Sequence, residues 1–195
     1  MRKALLLLLV SFALGLCLPG RANADSIVSV QSPGPVNVAS NFKVNVNISG
    51  AADVYGFQFD LGFNPTLVQV LSVKEGGFLL GGGLNYTTFF NAGTIDNIGG
   101  FVTFNYDSLI GDISGANGMG TLVQFNFRAI GAGTSALFLS NLFLVDSESF
   151  PLNGTTVDGS VTVSPAIGTP ESSVIVYLAA AAMFLILSRR VWRIA

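Results

Sequence analysis

The chain has 195 residues, half of them hydrophobic, with nine basic and eleven acidic side chains and a net charge of −2. It has no histidine and a single cysteine, Cys17. These absences exclude Ser-His-Asp and Cys-His catalysis and every His- or Cys-ligated zinc site; few enzyme mechanisms survive them, a carboxylate pair among those that do.

The N-terminus has the three parts of an export leader. Met1, Arg2 and Lys3 form a positive n-region, residues 4–18 an apolar h-region, and Ala22, Asn23 and Ala24 an A-x-A cleavage site. Cleavage after Ala24 removes residues 1–24 and Cys17 with them, so the mature segment has no thiol or disulfide chemistry.

From residue 25 onward the chain reads as strands. Phe42, Val44, Val46 and Ile48 alternate with polar residues, and Phe57, Phe59, Leu61 and Phe63 repeat that period of two with aromatics. Residues 67–73, 101–106, 121–127, 136–144 and 160–163 follow, separated by linkers rich in Gly, Asn and Ser. No stretch shows a 3.6-residue apolar period. The pattern predicts an all-β domain over residues 25–164, a two-sheet antiparallel β-sandwich with jelly-roll or plain Greek-key topology. Phe57, Phe59, Leu61, Phe63, Phe104, Phe125 and Phe127 are its expected inward core. On the Phe57 to Phe63 strand, alternation then turns Gly56, Gln58, Asp60 and Gly62 outward.

Lys43, Lys74 and Arg128 are the only cations between residues 25 and 168, against every acidic residue of the chain except Glu171. That balance argues against nucleic acid and against adsorption to anionic lipid. Asp107, Asp112 and Asn117 fall in a stretch that reads as a loop, and their five-residue steps do not match an EF-hand. No metal or other cofactor is expected. Among aromatics that a flat glycan would need, Trp192 lies at the extreme C-terminus, leaving Tyr55, Tyr86, Phe89, Phe90 and Tyr106.

Residues 165–173 read as a linker containing Thr169, Pro170 and Glu171. Residues 174–188 form an apolar helix near the lower length limit for a membrane span. Arg189, Arg190 and Arg193 in the tail 189–195 would stay cytoplasmic, which places the domain outside.

Several segments together carry a resemblance. They are Val44 to Gly50, the run from Val54 through Gly56, Phe57, Phe59, Leu61 and Phe63 to Asn64 and Pro65, then Leu67 to Val70. Gly120 to Ala129, Gly133 to Ser135 and Asp158 to Val163 complete the set. In order and spacing, from about residue 27 to residue 163, this segment resembles the cohesin domain, the receptor half of the cohesin–dockerin pair that assembles cellulose-degrading complexes. The resemblance implies a non-catalytic module that binds a dockerin-like protein, the calcium being carried by the partner, through one outer sheet face. Gln58 and Asp60 are then the partner-binding residues. Gly56 stands where the family often has an amide, so partner choice is not expected to copy that of cellulosomal relatives. Carbohydrate-binding modules share the sandwich, which makes a polysaccharide the alternative ligand and a structural surface or matrix protein the third reading.

The tail resembles a PEP-CTERM sorting signal, in Thr169, Pro170 and Glu171, the apolar run and the arginines Arg189 and Arg190. The second proline of the usual Pro-Glu-Pro is replaced by Ser172. Such a signal implies an exosortase-type processing enzyme. The domain would be anchored in the membrane by its C-terminal helix, or released to the cell surface or extracellular matrix after processing.

Overall fold

Residues that alternate apolar and polar settle into strands because only a strand puts every second side chain on one face. The computed structural model describes residues 25–82 and 86–166 together with Tyr177. The leader with Ala22 and Ala24, the motif Thr169, Pro170 and Glu171, the apolar run 174–188 apart from Tyr177, and Arg189 and Arg190 lie outside the described residues. Among the described residues no helix is long and apolar enough to cross a membrane.

Twelve strands follow in order: β1 Ser26–Gln31, β2 Val36–Asn37, β3 Asn41–Val54, β4 Gly56–Gly62, β5 Val68–Glu75, β6 Thr94–Asp96, β7 Phe101–Ser108, β8 Ala116–Ala129, β9 Gly133–Val145, β10 Pro151–Leu152, β11 Gly154–Val157 and β12 Gly159–Ser164. They form a five-stranded sheet in the order β11-β1-β3-β8-β5 and a seven-stranded sheet in the order β2-β12-β9-β4-β7-β6, with β10 on β9. The two-sheet sandwich is as expected. Its pairing is not wholly antiparallel, because β1 runs parallel to β11 and β2 parallel to β12. The chain's first two strands lie beside its last two, and both ends enter the sheets in the same direction.

Val44, Val46 and Ile48 of β3 and Phe125 and Phe127 of β8 face Phe59 and Leu61 of β4 and Leu137 and Leu144 of β9 across the core. Phe127 joins the layers. It stacks on Phe42 at 5.4 Å and meets Phe63 edge-on at 5.6 Å. Each such buried side chain stabilises the fold by about 2–3 kcal/mol.

β3 and β8 run further than the alternation alone indicates. Their pairing continues through bulges to Ala51 opposite Gly118 and Val54 opposite Ala116. Gly118 has φ of +98°, a backbone an L side chain adopts only under strain, so a stretch that reads as a linker stays in the sheet. The strands least visible in sequence, β2, β6, β10 and β11, are two to four residues long and mostly exposed, and lack any alternation to betray them.

Candidate partner-binding face

The outer face of β9, β4 and β7 is shaped by one carboxylate. On β4, Phe57, Phe59 and Leu61 point into the core, which turns Gly56, Gln58, Asp60 and Gly62 outward. Both neighbours of β4 bulge at Asp60. On β7, Phe59 pairs with Asn105 and Leu61 with Val102; on β9, Gln58 pairs with Phe143 and Asp60 with Ser140. Each bulge holds a non-glycine residue in the left-handed region, Phe104 at φ +58° and Asn141 at φ +53°. Asp60 Oδ1 accepts the Phe104 backbone N–H at 2.8 Å, and Oδ2 accepts Asn141 Nδ2 at 2.6 Å. Left-handed backbone costs about 1–2 kcal/mol per residue, and these charge-assisted hydrogen bonds offset it.

Two sequence expectations change here. Asp60 reads as an open hydrogen-bonding group, but it is only 9% exposed and both its oxygens are engaged within the chain. Phe104 reads as core, but it is 62% exposed, because the bulge at Asp60 slips the β7 register and turns its ring to the outer face. Gln58 remains on that face, half-buried between Tyr106 and Phe143, its register partners on β7 and β9.

Phe104, Tyr106, Phe143 and Val145 surround Gln58 and Gly56 in an open depression of about 400 Å³. A Cβ at Gly56 would stand 3.2 Å from both the Asp107 carbonyl oxygen and Val145 Cγ1, so the missing side chain deepens this hollow. Phe89, 58% exposed, lies against Tyr106 with ring centroids 5.9 Å apart. Further along, Phe101 and Phe138 meet edge-on at 5.8 Å, and the Phe138 ring fills the space that a side chain at Gly62 would need. The face is thus a row of exposed aromatics with an amide in its middle, the residue class that dominates interface energetics. Sequence reasoning placed Gln58 here but missed Phe104 and Phe143. The one usable signal was Asn141, a residue type that tolerates left-handed backbone, interrupting an apolar run.

Behind the depression lies a pair of carboxyls. Asp107 reads as a loop residue beside Asp112, but it sits on β7 and is 2% exposed. Burial, and then the nearby Glu75 of β5, raise its pKa to about 7; a hydrogen bond from the Ser108 N–H opposes the rise. The Glu75 carboxyl stands beside Asp107 from the other sheet, and Thr88 Oγ1 donates to Glu75 Oε1 at 2.6 Å.

The loop after β7 is tied to the sandwich. Asp53 Oδ1 accepts the Gly115 N–H at 2.6 Å and its Oδ2 the Ser147 hydroxyl at 2.8 Å; Asn117 Oδ1 accepts the Asp53 N–H at 3.0 Å. Among the described residues no group of three or more acidic side chains is placed to hold a metal ion. Tyr55 donates its hydroxyl to the Gly111 carbonyl at 2.6 Å, and Tyr55, Tyr86 and Phe90 pack against the core. Of the aromatics that suggested a glycan platform, Tyr106 and Phe89 reach the outer face.

The family model of the cohesin domain matches residues 27–163. Cellulose-binding protein A of Clostridium cellulovorans is 25% identical over 131 residues, which are 66% of this chain and 7% of that much longer protein. A non-cellulosomal cohesin from the archaeon Archaeoglobus fulgidus superposes with a TM-score of 0.57 at 18% identity, covering 77% of this chain and 96% of its own. The cohesin of a type I cohesin–dockerin complex from Clostridium thermocellum gives 0.58 at 11% identity, covering 72% and 100%. A type II cohesin domain from the cellulosome of Acetivibrio cellulolyticus gives 0.56 at 13% identity, covering 71% and 95%. These structures share the fold, and the family model spans most of this chain: the protein belongs to the cohesin-domain family.

Proposed function

We propose that this protein is a non-catalytic recognition module that binds a dockerin-type protein through the outer face of β9, β4 and β7. The observation that carries the reading is the row of exposed Phe104 and Phe143 with half-buried Tyr106 around Gln58, in a chain of the cohesin family. Relatives of the same fold have been solved as cohesin–dockerin complexes, which supports a protein ligand. In this reading Gln58 supplies a directional hydrogen bond and Asp60 shapes the face. The calcium belongs to the partner.

The sequence features at the two ends supply the setting. Residues 1–24 export the chain. Thr169, Pro170 and Glu171, with the apolar run 174–188 and Arg189 and Arg190, present it to an exosortase-type enzyme or hold it in the membrane. The domain then works at the cell envelope or in the extracellular matrix.

The test is a pull-down from the source's exported proteins with the full chain in neutral detergent, run with calcium and with a chelator. A captured protein with paired Asp-rich calcium loops, lost on chelation and lost again with F104A/F143A, is the expected result. Capture that ignores both calcium and these substitutions overturns the reading. Retention on cellulose through the same residues would assign the row to a glycan instead.

A further inference from the structure

The outer face of the five-stranded sheet is the chemical opposite of the aromatic row. Val44, Val46, Phe125 and Phe127 point inward, so Lys43 and Asn45 of β3, Gln124, Asn126 and Arg128 of β8, and Lys74 of β5 point outward. Strand pairing sets these in rows: Lys74 opposite Gln124 and Gln124 opposite Asn45, Lys43 opposite Asn126, and Arg128 opposite Gln69. The amides hold one another in place. Gln124 Nε2 donates to Asn45 Oδ1 at 3.1 Å, Asn45 Nδ2 to Gln31 Oε1 at 3.2 Å, and Asn126 Nδ2 to Ser72 Oγ at 2.8 Å. Each such bond uses one amide hydrogen and leaves another, so the network presents oriented donors without further ordering.

Charge is segregated as well. Lys43, Lys74 and Arg128 are all the cations among the described residues, and all three stand on this face. Two carboxylates lie on β1, β3, β5 and β8, and neither joins the cations: Asp53, at the other end of β3 from Lys43, is bound to Gly115 and Ser147, and Glu75 of β5 turns inward toward Asp107. Yet residues 25–166 hold every acidic residue of the chain but Glu171.

We infer that this face binds an anionic polysaccharide of the polyuronate class, its carboxylates meeting Lys43, Lys74 and Arg128 and its ring hydroxyls the amide rows. The face has no aromatic side chain, and exposed Ile27 of β1 and Leu71 of β5 stand on strands separated by β3 and β8, so it lacks the apolar centre of a tight protein interface. Duplex nucleic acid carries a charge every ~1.7 Å and calls for many more cations. A sugar chain with one carboxylate per ring and many hydroxyls suits three spaced cations set among amides. The two sheets then face two different ligands.

The experiment is affinity electrophoresis of the full chain in neutral detergent through gels containing polygalacturonate, dextran or poly-glutamate. Polygalacturonate should retard the chain at low salt and dextran should not. High salt should abolish the retardation, and K43A/K74A/R128A should weaken it about tenfold, three exposed ionic contacts each contributing modestly. F104A/F143A should leave it intact, which separates this face from the dockerin reading. The inference fails if polygalacturonate has no effect or if the triple variant is retarded as strongly as the parent. Equal retention by poly-glutamate would overturn it in favour of an acidic protein.

Discussion

Asn141 donates to Asp60 across 2.6 Å from a left-handed backbone, and the same carboxylate accepts the N–H of Phe104, also left-handed, from the opposite strand. One side chain therefore fixes two bulges and decides which aromatic rings face outward. Asp60→Ala removes the acceptor of both bonds and leaves the strained residues without their compensation. It should destabilise the domain by about 2–4 kcal/mol in urea unfolding, and the survivors should lose partner binding through a displaced Phe104. A loss below about 0.5 kcal/mol would mean that the bulges hold without the carboxylate.

Buried Asp107 beside Glu75 sets a pH dependence with a definite sign. The pKa of Asp107 is raised from the ordinary 3.8 to about 7 in the folded chain. Between those values the folded state binds more protons than the unfolded state, so stability falls as pH rises through this window and levels off above it. At about 1.4 kcal/mol per unit the fall amounts to a few kcal/mol. Asp107→Asn keeps an oxygen for the Ser108 N–H and has no proton to lose. It should gain stability over the parent at pH 8 by about 1–2 kcal/mol and show no gain near pH 5. Urea midpoints for both proteins across pH 4 to 9 measure this, and parallel profiles would count against a raised pKa at Asp107.

How far sequence reached is clearest on β4 and its neighbours. Phe57, Phe59, Leu61 and Phe63 announced a half-buried strand, and they are buried. Such alternation survives wherever a strand is regular, and this made the sandwich legible. Phe104 was misplaced because a bulge adds one residue and inverts every later facing, and nothing in the local composition of β7 marks it. Asp107 was misplaced for a related reason. A buried carboxyl is tolerated only with a partner, and its partner Glu75 lies 32 positions earlier on the other sheet. Lys43, Lys74 and Arg128 are visible as rare cations, but their shared face emerges only once β3, β8 and β5 are seen to be neighbours.

Asp53 ties three segments together, accepting from Gly115 and Ser147 while its own N–H donates to Asn117. Asp53→Ala should cost about 2–3 kcal/mol and raise hydrogen exchange at Gly115 before it affects core amides such as Val46. Uniform exchange across the domain would show instead that these loops open only with global unfolding.

Phe104 serves recognition with its ring and strain with its backbone, and two substitutions separate the contributions. Both Phe104→Ala and Phe104→Gly delete a ring that is 62% exposed, so neither loses much core packing. Glycine alone relieves the φ of +58°, because it has no Cβ to oppose a left-handed conformation. The glycine variant should therefore be more stable than the alanine variant by about 1 kcal/mol. Both should weaken partner capture to the same degree, by the ~2 kcal/mol of a central aromatic contact. If the glycine variant binds normally, the bulge geometry and not the ring makes the contact, and the aromatic row loses its role in recognition. If alanine and glycine are equally stable, glycine's greater freedom in the unfolded chain cancels the strain it relieves at position 104.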